Sequence, residues 1–120
     1  MLSVRIIDAQ VPIVVVEGKI NENNKNEIDE AIRLALAPRK NQLILDVTGV
    51  KSLDAGEAQA IVEATHRTLG RGGRLALVVS EKDENHALLE ARVADIPGVF
   101  VFRDRKEAEG YFAERGLGII

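Results

Sequence analysis

Three aliphatic runs constrain this chain more than any other feature: Ile13-Val14-Val15-Val16, Leu43-Ile44-Leu45-Asp46-Val47 and Leu75-Ala76-Leu77-Val78-Val79. A strand with one wet face alternates apolar and polar residues, whereas a run without alternation suits a strand covered on both faces. The segments between the runs carry a helical period instead. Strands alternating with helices predict parallel pairing through helical crossovers, expected to be right-handed.

The first strand is different. Ser3, Val4, Arg5 and Ile6 alternate polar and apolar, as a strand with one wet face does. The short polar link Asp8-Ala9-Gln10 makes it the antiparallel neighbour of the next strand. A polar turn follows, with Asn21, Asn23, Asn24 and Asn26. Ile28, Ala31, Ile32, Ala35 and Leu36 then recur at i, i+3, i+4, i+7 and i+8, one apolar helical stripe. Glu27, Asp29 and Glu30 crowd its first turn, where the helix dipole favours negative charge, and Pro38 ends it.

A second helix starts after Asp54 with Ala58, Ile61, Val62, Thr65 and Leu69 on one side, stopped by Gly70, Gly72 and Gly73. Asp83 caps a third, carrying Leu88, Leu89 and Val93 and closed by Pro97-Gly98. Val99-Phe100-Val101-Phe102 is a short strand. Asp104 caps a last helix with Ala108, Tyr111 and Phe112 inward, ending near Gly116. The expectation is one α/β domain over residues 1–120: an opening antiparallel hairpin, then parallel strands in a mixed sheet, with about four helices.

Composition narrows the function. Aromatic residues make up 3%, too few for stacking platforms on single-stranded nucleic acid. Net charge is −3 with no long basic run, so no face is built for a phosphate backbone. The absence of cysteine excludes disulfides and thiolate chemistry. No apolar run approaches the roughly 20 residues that span a bilayer, and the N-terminus has no apolar leader core. A cytoplasmic location is expected.

The order of elements and several landmarks resemble the STAS family, the sulphate transporter and anti-sigma factor antagonist domains. Val15-Val16-Glu17-Gly18-Lys19-Ile20-Asn21 looks like the family's strand, glycine and acidic or amide residue before the first helix. Leu43-Ile44-Leu45-Asp46-Val47-Thr48-Gly49-Val50 looks like its central strand, and Ser52-Leu53-Asp54 like the approach to its switch site. Gly72-Gly73-Arg74-Leu75 resembles its turn into the following strand, and Val99-Phe100-Val101-Phe102 with Glu107-Ala108 its closing elements.

The resemblance implies a partner: an anti-sigma factor, often also a serine kinase, or a related ATPase domain. The family's antagonists typically carry Asp-Ser-Ser/Thr-Gly at the start of the second helix, and the kinase phosphorylates a hydroxyl there. Here the run is Asp54-Ala55-Gly56-Glu57, about one residue short of that pattern. Asp54 matches the family's aspartate; the phosphoacceptor matches nothing. Amide groups at a helix start attract anions, so a phosphate is tolerated there and changes the charge a partner meets. Without an acceptor, that switch is expected to be silent. Asp54 and Glu57 instead form an Asp-x-x-Glu capping box, or Glu57 supplies a fixed negative charge at the partner surface.

The docking residues expected on this basis are Asn21, Asn23 and Asn24 in the turn, Ser52, Leu53, Asp54, Ala55, Gly56 and Glu57 in the loop and helix start, and Gln59 and Glu63 on the helix. Asp46 is read as a structural hydrogen-bonding group, and His66 and His86 as solvated side chains rather than metal ligands. The turn around Gly72 follows a helix and precedes a strand, the reverse of a phosphate loop. No convergent catalytic set is visible, so neither enzyme activity nor a cofactor is expected. The chain therefore reads as a regulatory protein-binding module, with homo-oligomerisation open. The alternative from the same resemblance is a small-molecule or nucleotide sensor, or a component of a transport complex.

Overall fold

The computed structural model describes residues 2–36, 41–51, 55–70 and 72–117. The expected order of elements is observed. β1 (Leu2–Ile7) and β2 (Ile13–Gly18) are followed by α1 (Lys25–Leu36), β3 (Gln42–Val50), α2 (Ala55–Leu69), β4 (Arg74–Val78), α3 (Glu84–Val93), β5 (Val99–Phe102) and α4 (Arg105–Leu117). The strands form one mixed sheet in the order β1-β2-β3-β4-β5. β1 pairs antiparallel with β2, and the remaining neighbours are parallel.

The unbroken aliphatic runs are buried because both faces of the sheet are covered. On one face Val14, Val16, Leu43, Leu45, Leu75 and Leu77 pack with Ile28, Ile32, Ile61 and Leu89 of α1, α2 and α3. On the other, Ile13, Val15, Ile44, Ala76 and Val78 meet Ala108 and Phe112 of α4. Every apolar position expected on α1 is buried, from Ile28 at 1% exposure to Ala35 at 7%. Burying one such side chain stabilises by about 1.5–3 kcal/mol.

The aromatic residues gather on the α4 side. The Tyr111 ring lies 4.8 Å from Phe100, 5.6 Å from Phe102 and 5.3 Å from Phe112, centroid to centroid.

Two expectations on α3 need correction. Leu88 points outward at 62% exposure, and His86 is wholly buried rather than solvated. Positions 86, 89 and 93 share the inner face at i, i+3 and i+7, which turns Leu88 away. The strand β3 also runs past Val47 to Val50, because Glu17 and Gly18 of β2 continue the ladder with Gly49 and Val50 after an irregularity between Val15 and Glu17. Gly49 suits that pairing, since a Cβ there would meet Glu17 Cγ at 2.7 Å.

Candidate functional site

The candidate surface starts where β2 ends. Gly18 adopts a φ of 104°, a conformation that favours glycine, and its carbonyl accepts from the Lys51 N–H at 3.1 Å. The ends of β2 and β3 are thereby held together just before residues 52–54. Ile20 is 2% exposed and anchors the following turn in the core. Above it, the asparagines fold the backbone on themselves. Asn21 Oδ1 accepts from the N–H groups of Asn23 and Asn24, at 2.8 and 3.1 Å, and Asn24 Oδ1 accepts from the Asn21 N–H at 2.8 Å. Asn24 Nδ2 donates to the Lys19 carbonyl at 3.0 Å. The turn is thus a preorganised polar knob just ahead of α1.

The start of α2 stands beside this turn. Lys19, Ile20, Asn21, Glu22, Lys25, Gly56, Glu57 and Ala60 line a depression of about 280 Å³ between them. Two expected groups of residues, Asn21 and the pair Gly56 and Glu57, are brought together there. Lys19, Ile20, Glu22, Lys25 and Ala60 lie outside the expected docking set; Ala60 lies one helical turn after Gly56, so the spacing held that signal. Gly56, Gln59 and Glu63 are exposed along one outer stripe of α2, and Asn21 and Asn23 are exposed in the turn. Ser52, Leu53 and Asp54 lie outside the described residues.

Glu57 is the third residue of α2, as the capping-box reading requires. Its exposure is 5%, so it does not belong to the outer stripe. Glu57 turns inward at the floor of the depression rather than standing out on the exposed face of α2. A helix start is a favourable place for a carboxylate, because its free N–H groups and dipole attract negative charge.

Behind the loop, two polar groups fix the strand ends. Asp46 Oδ1 accepts from Thr48 N–H at 2.9 Å and Thr48 Oγ1 at 2.7 Å, while Oδ2 meets Arg105 Nε at 3.1 Å. Asp46 therefore has the structural role expected of it, and the Thr48 hydroxyl is committed to it. His86 Nδ1 accepts from the Ser80 N–H at 3.0 Å, and Nε2 lies 2.9 Å from the Val50 carbonyl. Since a carbonyl can only accept, Nε2 carries the proton. The imidazole ties the last residue of β3 to the end of β4.

His66 is exposed. Among the described residues no group of three or more His, Asp or Glu side chains could hold a metal ion. No helix among them is long and apolar enough to cross a membrane. Arg103 is hydrogen-bonded to Glu90 at 2.8 and 3.2 Å, which raises its pKa above the ordinary arginine value and keeps it a fixed cation.

The STAS domain model matches residues 4–108. The chain belongs to the STAS domain family. No curated protein sequence matches it closely enough to add to that. Among solved structures, this STAS chain is similar to an anti-sigma factor antagonist from Mycobacterium paratuberculosis, with a TM-score of 0.72, 16% identity, and coverage of 92% of this chain and 93% of that one. It is also similar to a putative anti-sigma factor antagonist from Thermotoga maritima, with a TM-score of 0.67, 24% identity and coverage of 92% of both chains. A third likeness is to the anti-sigma factor antagonist SpoIIAA in its unphosphorylated form, with a TM-score of 0.61, 13% identity and coverage of 97% and 99%. At these identities the likeness is one of fold.

Proposed function

We propose that this STAS chain is a non-catalytic regulatory module that docks a partner protein in the manner of an anti-sigma factor antagonist, without phosphorylation at the usual switch site. The observation that carries the reading is the meeting of the asparagine knob with the start of α2 around the 280 Å³ depression, flanked by the exposed Gly56, Gln59 and Glu63. A rigid polar knob beside an open helix face can be desolvated by a partner at little ordering cost. The fold's solved relatives described as anti-sigma factor antagonists support the choice of partner: an anti-sigma factor, or a related serine kinase or ATPase domain. Neither Ala55 nor Gly56 offers a hydroxyl to such a kinase.

Two measurements test this reading. The chain is titrated with the anti-sigma factor encoded nearest to it, alongside Asn21→Ala, Gln59→Lys and Glu63→Lys. A central docking surface predicts affinity losses of about tenfold or more for at least two of these variants. Unchanged affinity in all three removes this surface from the interface. Intact mass after incubation with the kinase and ATP should show no added phosphate; one phosphate per chain refutes the silent switch.

A second reading, a small-molecule or nucleotide sensor, is favoured by one observation. Asp46, Thr48, Ser80, Lys82, Arg103 and Arg105 contribute to a cleft of about 380 Å³ near the carboxyl ends of β3 and β4. That end of parallel strands is where α/β sheets commonly hold ligands. Saturable heat on titration with nucleoside triphosphates would favour this reading over protein docking.

A further inference from the structure

β4 stops at Val78, and its register with β3 ends at the pair Asp46 and Val78. β3 continues to Val50, so residues 47–50 have a strand beside them on the β2 side alone. A strand that outruns its neighbour leaves backbone groups without ladder partners, and a buried carbonyl without a donor is costly. At Val50, which is 1% exposed, a side chain fills that place. His86 Nε2–H donates to the Val50 carbonyl at 2.9 Å. The other acceptor near Nε2, Asp83 Oδ2, stands at 3.8 Å, outside hydrogen-bond reach.

The same peptide unit is held from the opposite side. The Lys51 N–H donates to the Gly18 carbonyl at 3.1 Å. The Val50 carbonyl and the Lys51 N–H belong to one planar trans group, so bonds on its two edges fix its orientation. Only residues 52–54 then separate it from Ala55, the first residue of α2. The imidazole takes its own place from the rigid part of the sheet. Its Nδ1 accepts from Ser80 N–H at 3.0 Å, and the residues before Ser80, from Leu75 to Val79, are 0% exposed.

We infer that His86 is a positioning residue for the docking surface. Through Val50 it sets the direction in which β3 releases the chain toward α2, and with it the placing of Gly56 and Glu57 against the asparagine knob. A partner then meets a surface ordered before it arrives, which lowers the ordering cost of association. For its effect on affinity the inference rests on the docking reading; its effect on the chain itself needs no partner. Burial alone would not give His86 this role. An apolar side chain of similar size fills the space, whereas only a donor at the Nε2 position holds the carbonyl.

Two amide replacements separate the two ends of the imidazole. The side-chain amide of Asn stands near the place of Nδ1, and that of Gln near the place of Nε2. His86→Asn therefore keeps an acceptor for Ser80 and loses the donor to Val50, and His86→Gln does the reverse. Hydrogen exchange is read at Lys51 and Ser80, each relative to Ala76 in the middle of β4, which reports opening of the whole sheet. The expected result is a crossover. Lys51 exchanges about tenfold faster in His86→Asn alone, and Ser80 about tenfold faster in His86→Gln alone, the weight of one hydrogen bond. Titrated with the anti-sigma factor encoded nearest to the chain, His86→Asn should bind about tenfold more weakly, and His86→Gln within about threefold of wild type. Lys51 exchange that rises alike in both variants overturns the inference, and so does equal affinity of the two for a partner that wild type binds. The wild-type chain supplies a check without any variant: the Nε2 proton should be visible by NMR and slow to exchange, and a freely exchanging one overturns the inference. A wild-type chain that binds no partner refutes the docking reading instead, and the exchange crossover still decides what His86 holds.

Discussion

His86 offers the most direct test of how the loop root is held. The imidazole is fully buried, accepts from Ser80 N–H and donates to the Val50 carbonyl. His86→Ala leaves the buried Val50 carbonyl and the half-buried Ser80 N–H without their partner. Each such group costs about 1–3 kcal/mol, so the loss should be about 2–6 kcal/mol before any cavity term. Against a typical stability of about 5–15 kcal/mol this is a large fraction. In urea, with a slope of about 2 kcal/mol per molar, the midpoint should fall by roughly 1–3 M. His86→Gln can replace part of the donor and acceptor pattern and should recover a portion of that loss. His66→Ala, on the exposed face of α2, is the control and should stay within about 0.5 kcal/mol of wild type. Hydrogen exchange at Ser80 should accelerate in His86→Ala and not in the control. If His86→Ala unfolds at the same urea concentration as His66→Ala, the imidazole does not tie β3 to β4 and the reasoning fails.

Asp46→Ala should cost about 2–4 kcal/mol, because Thr48 and Arg105 lose a shared and largely buried acceptor. Arg105→Gln should cost only about 1 kcal/mol, since Arg105 is 41% exposed and Asp46 keeps its Thr48 bonds. Equal shifts in thermal midpoint for the two variants would contradict this ordering. Gly73→Ala would set a Cβ 2.5 Å from the Asn41 carbonyl oxygen and 3.0 Å from that of Thr68, and should cost about 1–3 kcal/mol. Gly110→Ala meets nothing within 4 Å inside α4 and should stabilise by about 0.5–1 kcal/mol; the pair of denaturation curves checks both signs.

Elements were legible in the sequence wherever burial set a period. The α1 stripe and the three aliphatic runs name their own partners, because a residue that must avoid water repeats at the spacing of its element. Asp83 and Asp104 were equally legible as caps, and they accept from Asn85 N–H at 2.9 Å and Glu107 N–H at 2.8 Å. What escaped was polar and buried. Histidine carries no strong preference for inside or outside, so adjacent Leu88 and Leu89 outweighed His86 in the reading of α3. Its burial depends on Val50 and Ser80, distant in sequence, and only the assembled sheet brings those backbone groups within reach. In the candidate site, the knob and the start of α2 were legible from asparagine chemistry and the family pattern. The inward turn of Glu57 was not, because a third helical position does not by itself fix exposure.

The clustering of Phe100, Phe102 and Phe112 around Tyr111 has a practical consequence. With no tryptophan and a single tyrosine, the chain's ultraviolet fluorescence and near-ultraviolet dichroism arise from one seam, where α4 lies on β5. A melt followed by tyrosine fluorescence or near-ultraviolet dichroism therefore watches the back of the sheet and is blind to the front. Events at the asparagine knob would need an introduced reporter to be seen.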